Sequence, residues 1–547
     1  MACIQAGAPS LALTLALVAL GACGDDMTAG DTDAETSTAT ATVETDSEGV
    51  TSGTTGVPFE PYAARGLVIS KVEANAGVAV PIGLDGGEVD GGGRNAYVIP
   101  RRDTLIRVYL DVGDDWVERD IEARLTLVHT DGSEEEFSEV FTISEDTRDG
   151  QIVSGPYFGV DAESMRPGVK YKVSLWETAW GYEEEAEPDP PPVLPVDGSS
   201  AYIGVEDTYL NMRLVLVPID YSYGGCSEVV DGEAIRQQFD DALFQQNPLE
   251  NLEMEIHEPY KVTYDMGAYS GLNQLVNDMS QLRAAEGAGP EVYYYGIFDN
   301  CGKCISAGGV GEGCTVGLAA NITGGSKSDA WARASAGQLN SGAASTFVHE
   351  VGHTQGRRHV YCSSAGTQAA GTDPSYPYDK GEINIWGFGV RDFGLRHPTA
   401  TADYMSYCSK SWCSDWQWNA TYQRIKSLSS WEGEDAGAEP PEPGLLIGAI
   451  APDGTEDWWT VPGTFEDRAR ERSGLHRLRF SVGDETIETA AEVSVRPHYP
   501  TVNIVAPLPA DFDADVGEIR YLHGDDERVV TVEPQKILHR TDLLRSR

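Results

Sequence analysis

The sequence predicts a multidomain protein in which an α/β domain over residues 201–431 is flanked by N- and C-terminal β-sandwich domains at 58–182 and 445–547. Three observations carry this. Short alternating apolar runs between Gly/Asp turns fill both ends, strand-like and helix-like periods alternate in the middle, and two acidic, proline-bearing stretches at 183–200 and 432–444 separate the parts. A chain of 547 residues is long for a single core and suits about three domains.

Residues 11–20 are ten almost wholly apolar positions, too short to span a bilayer, and Leu20-Gly21-Ala22-Cys23 has the form of a bacterial lipobox. This predicts a lipoprotein signal over 1–23, lipidation of Cys23, and contact with a membrane only through that anchor. No Lys or Arg precedes Arg65, so the positive region usual before such a run is reduced to the terminal amine. A plain secretion signal with an incidental cysteine is the alternative. Residues 24–57 are rich in Thr, Ser, Gly, Asp and Glu without a basic residue, which predicts a disordered tether. Gly24 after Cys23 favours the outer membrane or cell surface over inner-membrane retention.

The runs at 67–70, 105–110, 123–128 and 171–175 predict strands of the first sandwich. In the middle, strand-like 212–217, 252–256 and 292–295 alternate with helical patterns at 233–246 and 272–285, an α/β layer leading to a further helix. Runs at 475–480 and 502–505 suggest the second sandwich.

That further helix carries the chemistry. His349, Glu350, His353, Gly356 and His359 spell H-E-x-x-H-x-x-G-x-x-H. His349 and His353, four apart, project from one helix face, close enough for both imidazoles to reach one metal. Gly356 allows the left-handed backbone of a helix stop, so that His359 can return as third ligand while a fourth position stays open for water, the mark of a catalytic rather than structural site. The donor set predicts Zn2+ as cofactor. Neutral imidazoles leave the ion its charge, so bound water loses a proton near neutral pH, and Glu350 is placed to take it as general base. A bare H-E-x-x-H arises by chance far more often than this five-position pattern. Ser341 or Ser345 is a candidate cap, and Ala343, Ala344, Phe347, Val348 and Val351 give the helix an apolar face.

These residues resemble the metzincin clan of zinc endopeptidases, whose second signature is a methionine-containing turn beneath the metal. Met405 in Asp403-Tyr404-Met405-Ser406-Tyr407-Cys408 is similar to that turn, and Met405-Ser406-Tyr407 resembles the M-x-Y turns of the astacin-like and serralysin-like branches. The resemblance implies that Met405 floors the three imidazoles and that Tyr407 acts in catalysis as a hydrogen-bond donor to the tetrahedral intermediate. The segments 376–390, 402–405 and 414–416 look like bacterial secreted peptidases of the M66-like group, a looser match over about residues 200–430. Metzincins bind substrate along an edge strand before the active-site helix, which makes the glycine-rich 308–311 and the run 315–320 candidates for the cleft rim.

The formal charge of -48 and pI near 4.4 argue against nucleic acid or an anionic membrane surface as partner. Beyond Cys3 and Cys23, seven cysteines (226, 301, 304, 314, 362, 408 and 413) lie in the central part, and export implies disulfides among them. Pairing Cys362 with Cys408 would tie the methionine turn to the third histidine; with an odd count, one thiol is free or pairs between molecules. Cys301-x-x-Cys304 lacks the context of a redox pair or zinc knuckle. The reading is an exported zinc endopeptidase acting on protein or glycoprotein substrates, of open oligomeric state. The alternatives are a non-catalytic surface binding protein with a degenerate protease domain, and a hydrolase of a non-peptide amide.

Overall fold

The computed structural model describes residues 58–538 other than 307–313, 322–324, 364, 366–368, 370, 433–442, 466–472, 497–499, 510–511 and 513–516. The signal run, Cys23 and the tether therefore lie outside the described residues, as do the glycines at 308–311 and most of the 432–444 stretch. The protein is β-rich, with several sheets and, among the described residues, four α-helices: α1 (Gly232–Gln246), α2 (Tyr269–Ala285), α3 (Ala343–Thr354) and α4 (Asp415–Ser429). No described helix is long and apolar enough to cross a membrane.

Two antiparallel five-stranded sheets form the N-terminal part. One runs in the order Gly87–Glu88, Ala79–Leu84, Leu67–Asn75, Thr104–Val112, Tyr157–Val160. The other is built on Lys170–Glu177, Arg119–Val128 and Glu134–Ile143. Strict alternation along Lys170–Glu177 buries Tyr171, Val173 and Leu175 on one face, as a half-buried strand requires. Phe158 of the first sheet packs edge-on to Phe137 and Phe141 of the second, so the two sheets share their apolar faces.

The stretch 183–200, expected as a stiff linker, departs from that expectation. Val193–Leu194 and then Ala201–Tyr202 both pair along Lys170–Glu177, and Glu185 and Glu187 reach Arg119 and Arg65. Leu194 is fully buried while the acidic residues of the stretch stay exposed, so the segment docks without desolvating them.

The central sheet is parallel except at two places. Asn251–Ile256 and Tyr260–Val262 lie along the long strand Asn211–Tyr223, followed by Tyr293–Phe298 and Ala334–Gln338, all parallel; Gly317–Ala319 closes one edge antiparallel, and Cys226–Val229 returns as a hairpin. Helices cover both faces, which is why Tyr293–Phe298 is buried at every position. Leu214, Leu216 and Tyr295 face α1 and α3, with Phe239, Tyr295 and Phe347 in mutual ring contact. Val215, Val217 and Tyr294 face α2.

The C-terminal part is one continuous seven-stranded antiparallel sheet rather than two separate sheets. Its long strand Glu485–Val495 pairs with Ser473–Val482 through its first part and with Val502–Pro507 through its last, so Leu446, Trp458 and Ile504 share a core with Leu478, Phe480 and Tyr521. The other face packs on α2 through Ile447, Trp459 and Val505. Buried polar contacts reinforce it: Asn277 donates to Asp457 at 3.0 Å and Arg496 to Asn273 Oδ1 at 2.7 Å. From Phe59 onward the described residues cluster into one compact unit, in which the apolar cluster of the N-terminal sheets is continuous with that under α1, α3 and α4.

Candidate metal centre

Helix α3 begins without the serine cap that the sequence suggests. Gly342 occupies the cap position with no side-chain bond, Asn340 Oδ1 accepts the Gly342 N–H at 2.7 Å, and Ser345 falls inside the helix. The apolar face is as expected, with Ala343, Phe347, Val348 and Val351 buried. At the other end Gly356 N–H donates to His353 O and Arg357 N–H to Gly352 O, with Gly356 at φ +89°, the left-handed stop that a Cβ would strain. The chain then doubles back, and Val360 N–H donates to Met405 O at 2.9 Å.

This brings the three histidines together. His349, His353 and His359 are 8%, 0% and 1% exposed, and one nitrogen from each lies within 4.8 Å of the others. His349 Nδ1 is 2.8 Å from Tyr404 O and His353 Nδ1 is 2.7 Å from Arg357 O. Carbonyls only accept, so both Nδ1 atoms carry hydrogens, and in the neutral rings both Nε2 atoms present lone pairs. His353 Nε2 and His359 Nε2 face each other at 3.1 Å. Two nitrogens held at zinc–nitrogen distance and tetrahedral angle are about 3.3 Å apart, so this pair stands near that spacing, and three imidazole nitrogens within 4.8 Å of one another are a donor set that could hold Zn2+. The two carbonyls are the outer partners that fix tautomer and ring plane.

Glu350 is 2% exposed. Burial pushes its carboxyl up to about 8, an effect that protonation of the neighbouring His349 would oppose. It lies under Gly317 of the edge strand: a Cβ there would sit 2.6 Å from Glu350 Oε1. Met405 is fully buried beneath the helix, its sulfur 2.5 Å from where a Cβ on Gly352 would be. Tyr407 has ring centroids 5.8 Å from His349 and 5.1 Å from His359 and keeps 41% of its surface open. Desolvation of its phenol and then the Glu350 charge hold its pKa above the usual tyrosine value, so it is a donor at neutral pH. The six side chains singled out from the sequence, His349, Glu350, His353, His359, Met405 and Tyr407, thus lie close together.

The turn that presents Tyr404 O is built on Asp403, fully buried, whose carboxylate accepts from Met405 N–H at 2.9 Å and from Ser414 Oγ at 2.7 Å. Burial pushes this carboxyl up to about 6 against those donors. Cys362 pairs with Cys408, joining the segment after the third histidine to the turn as expected. The other bridges are Cys226–Cys301 and Cys304–Cys314, so Cys301 and Cys304 are not a pair, and Cys413 is the free thiol, buried. Gly317 lies in the run 315–320 expected at the cleft rim; sequence reasoning missed Gly352 and the carbonyls of Tyr404 and Arg357. Only the small residues inside the motif and on the upstream strand could have hinted at close approach.

No family model matches this chain, and no curated protein does. Among solved structures, a chaperone–substrate complex is 12% identical over 50% of this chain and 40% of its own, with a TM-score of 0.21. A putative beta-galactosidase from Bacteroides fragilis is 9% identical over 86% and 73%, with a TM-score of 0.13. Neither likeness amounts to a shared fold.

Proposed function

We propose that this chain is an exported zinc-dependent endopeptidase of the metzincin type that hydrolyses peptide bonds of extracellular proteins or glycoproteins. One observation carries the reading: the three imidazoles of a single H-E-x-x-H-x-x-G-x-x-H run converge, two with their Nδ1 hydrogens committed to carbonyls, and Glu350 lies beside them. Zinc, when bound by His349, His353 and His359, supplies Lewis acidity toward water and toward the scissile carbonyl.

The chain's own residues do the rest. Glu350 accepts the proton of the attacking water and returns it to the leaving amine, a transfer that its buried setting protects from exchange with solvent. Tyr407 donates its phenolic hydrogen to the oxygen on which negative charge develops. Met405 gives the imidazoles an apolar floor. Gly317–Ala319 ends the central sheet beside Glu350, where an extended peptide would add by main-chain pairing. In the same reading residues 201–431 are the catalytic part, the flanking β domains position substrate or hold the enzyme at the cell surface, and Cys23 is the lipid anchor.

The test is incubation of the chain from residue 58 with casein and with a glycosylated mucin, beside Glu350→Ala and with zinc content measured. Chelator-sensitive cleavage by the wild type alone is expected. Stoichiometric zinc without cleavage of any substrate would turn the reading toward a binding protein.

A further inference from the structure

We propose that the N-terminal sheets hold the metal centre in register through Trp412, a positioning residue joining them to ligand His349; the inference rests on the zinc reading of the three histidines. The buried Trp412 indole Nε1–H donates to Gly77 O, in the turn between Leu67–Asn75 and Ala79–Leu84, at 2.8 Å. Its main-chain carbonyl accepts the Tyr404 N–H at 2.8 Å, and Tyr404 O accepts the His349 Nδ1–H at 2.8 Å. Three hydrogen bonds thus run from a carbonyl of the N-terminal part to a metal ligand, each through a rigid group: an indole, a short strand pair and a peptide plane.

A second tie makes the docking stiff. Arg102 is fully buried and donates to Ala76 O of the same turn and to Asn247 O and Leu249 O beyond α1, at 2.7–3.0 Å. Asn247 Oδ1 in turn accepts from Gln355 Nε2, at the end of α3, at 3.0 Å. Both ends of the ligand set, the α3 terminus and the methionine turn, therefore abut groups fixed by the N-terminal sheets. Gly77 permits this approach, since a Cβ there would enter the Trp418 ring.

The experiment uses the full chain, Trp412→Phe, and Asn95→Ala as control, which loses a different bond of the same interface, to Asp415, and one within the N-terminal part, to Ala79 O. Two quantities are read: hydrogen exchange at the Tyr404 amide in metal-free protein, and the zinc Kd by chelator competition. Trp412→Phe should speed exchange at Tyr404 and raise the zinc Kd about three- to tenfold, less than the ten- to hundredfold of a direct partner. Asn95→Ala should change neither. Unchanged exchange, faster exchange with unchanged zinc Kd, or equal effects of both variants would each overturn the inference while leaving the zinc reading standing. A wild type that binds no zinc would remove both. If phenylalanine unfolds the segment, benzothienylalanine at 412, which keeps the bicyclic ring and lacks the N–H, makes the same comparison.

Discussion

Replacing Gly317 by alanine tests whether Glu350 acts from the position seen. The added methyl would meet Glu350 Oε1 at 2.6 Å, Glu350 Cγ at 2.7 Å and Thr346 Cγ2 at 2.6 Å. Ordinary carbon contacts need about 3.5 Å, so the carboxylate must move by the order of 1 Å. A lone flexible chain end could yield cheaply, but here the Cγ and a β-branched neighbour on the same helix block the retreat. The strand cannot retreat freely either, because Gly317 is in register with Gly337 on the buried strand Ala334–Gln338. Misplacement of this size costs on the order of a hundredfold in rate, about 3 kcal/mol of barrier, whereas overpacking costs about 1–3 kcal/mol of stability. The imidazoles are untouched, so zinc content should stay at the wild-type value. The assay is kcat on a peptide that the wild type cleaves, with metal content and urea denaturation measured in parallel. Turnover within twofold of wild type in a zinc-loaded Gly317→Ala protein would refute the assignment of Glu350 as the base at this position.

Three further outcomes are expected. Glu350→Gln should lose turnover by about two to four orders of magnitude while binding zinc, and His353→Ala should lose both, because base and ligand are separate roles; equal zinc loss in the two variants would contradict this. Tyr407→Phe should lower kcat by about a hundredfold or more with little change in KM, as loss of a donor used only in the transition state requires, and a change confined to KM would make it a binding residue. Asp278 on α2 is pushed up to about 6, by burial first and with the Asp457 charge adding, against donors Tyr264 and Gln274. The folded state then holds a proton that the unfolded chain releases near 4, so stability falls as pH rises from about 4 to 6, by at most about 3 kcal/mol. Asp278→Asn should flatten that slope and raise the urea midpoint at pH 7, Asp403 keeping its own share; an unaltered slope would exclude the group.

What could be seen in the sequence is what depends on neighbours along the chain. The spacing of His349 and His353 is a helix turn and Gly356 is a stop; both follow from local geometry and appear where expected, whereas the Cys362–Cys408 bridge, which is present, was one pairing among those that the sequence leaves open. The central alternation of strand and helix was legible for the same reason, from Asn211–Tyr223 to Tyr293–Phe298. The glutamates of the acidic stretch at 183–200 are exposed, as their composition suggests; what the sequence did not announce is the pairing of Val193–Leu194 with Lys170–Glu177, since two apolar residues among prolines are too short a run to read as a strand. Ser341 and Ser345 are good caps by type, yet tertiary packing starts the helix at Ala343 and leaves the cap position to a glycine.

The outer partners of the histidines were invisible for a deeper reason. His349 and His353 are oriented by main-chain carbonyls, and every residue has one, so nothing in the identity of Tyr404 or Arg357 announces the role. Such a carbonyl can be aimed only by the fold around it. For Tyr404 that aim comes from the Asp403 carboxylate on one side and the Trp412 strand on the other, and Trp412 is itself held by a glycine carbonyl of the N-terminal sheets. In the proposed reading a five-residue motif names the ligands, while the contacts that hold them extend to segments more than three hundred residues apart in sequence, Gly77 and Trp412 among them. Substitutions at those remote contacts should act on metal affinity before they act on the chemistry, the reverse of the order expected for Glu350 and Tyr407.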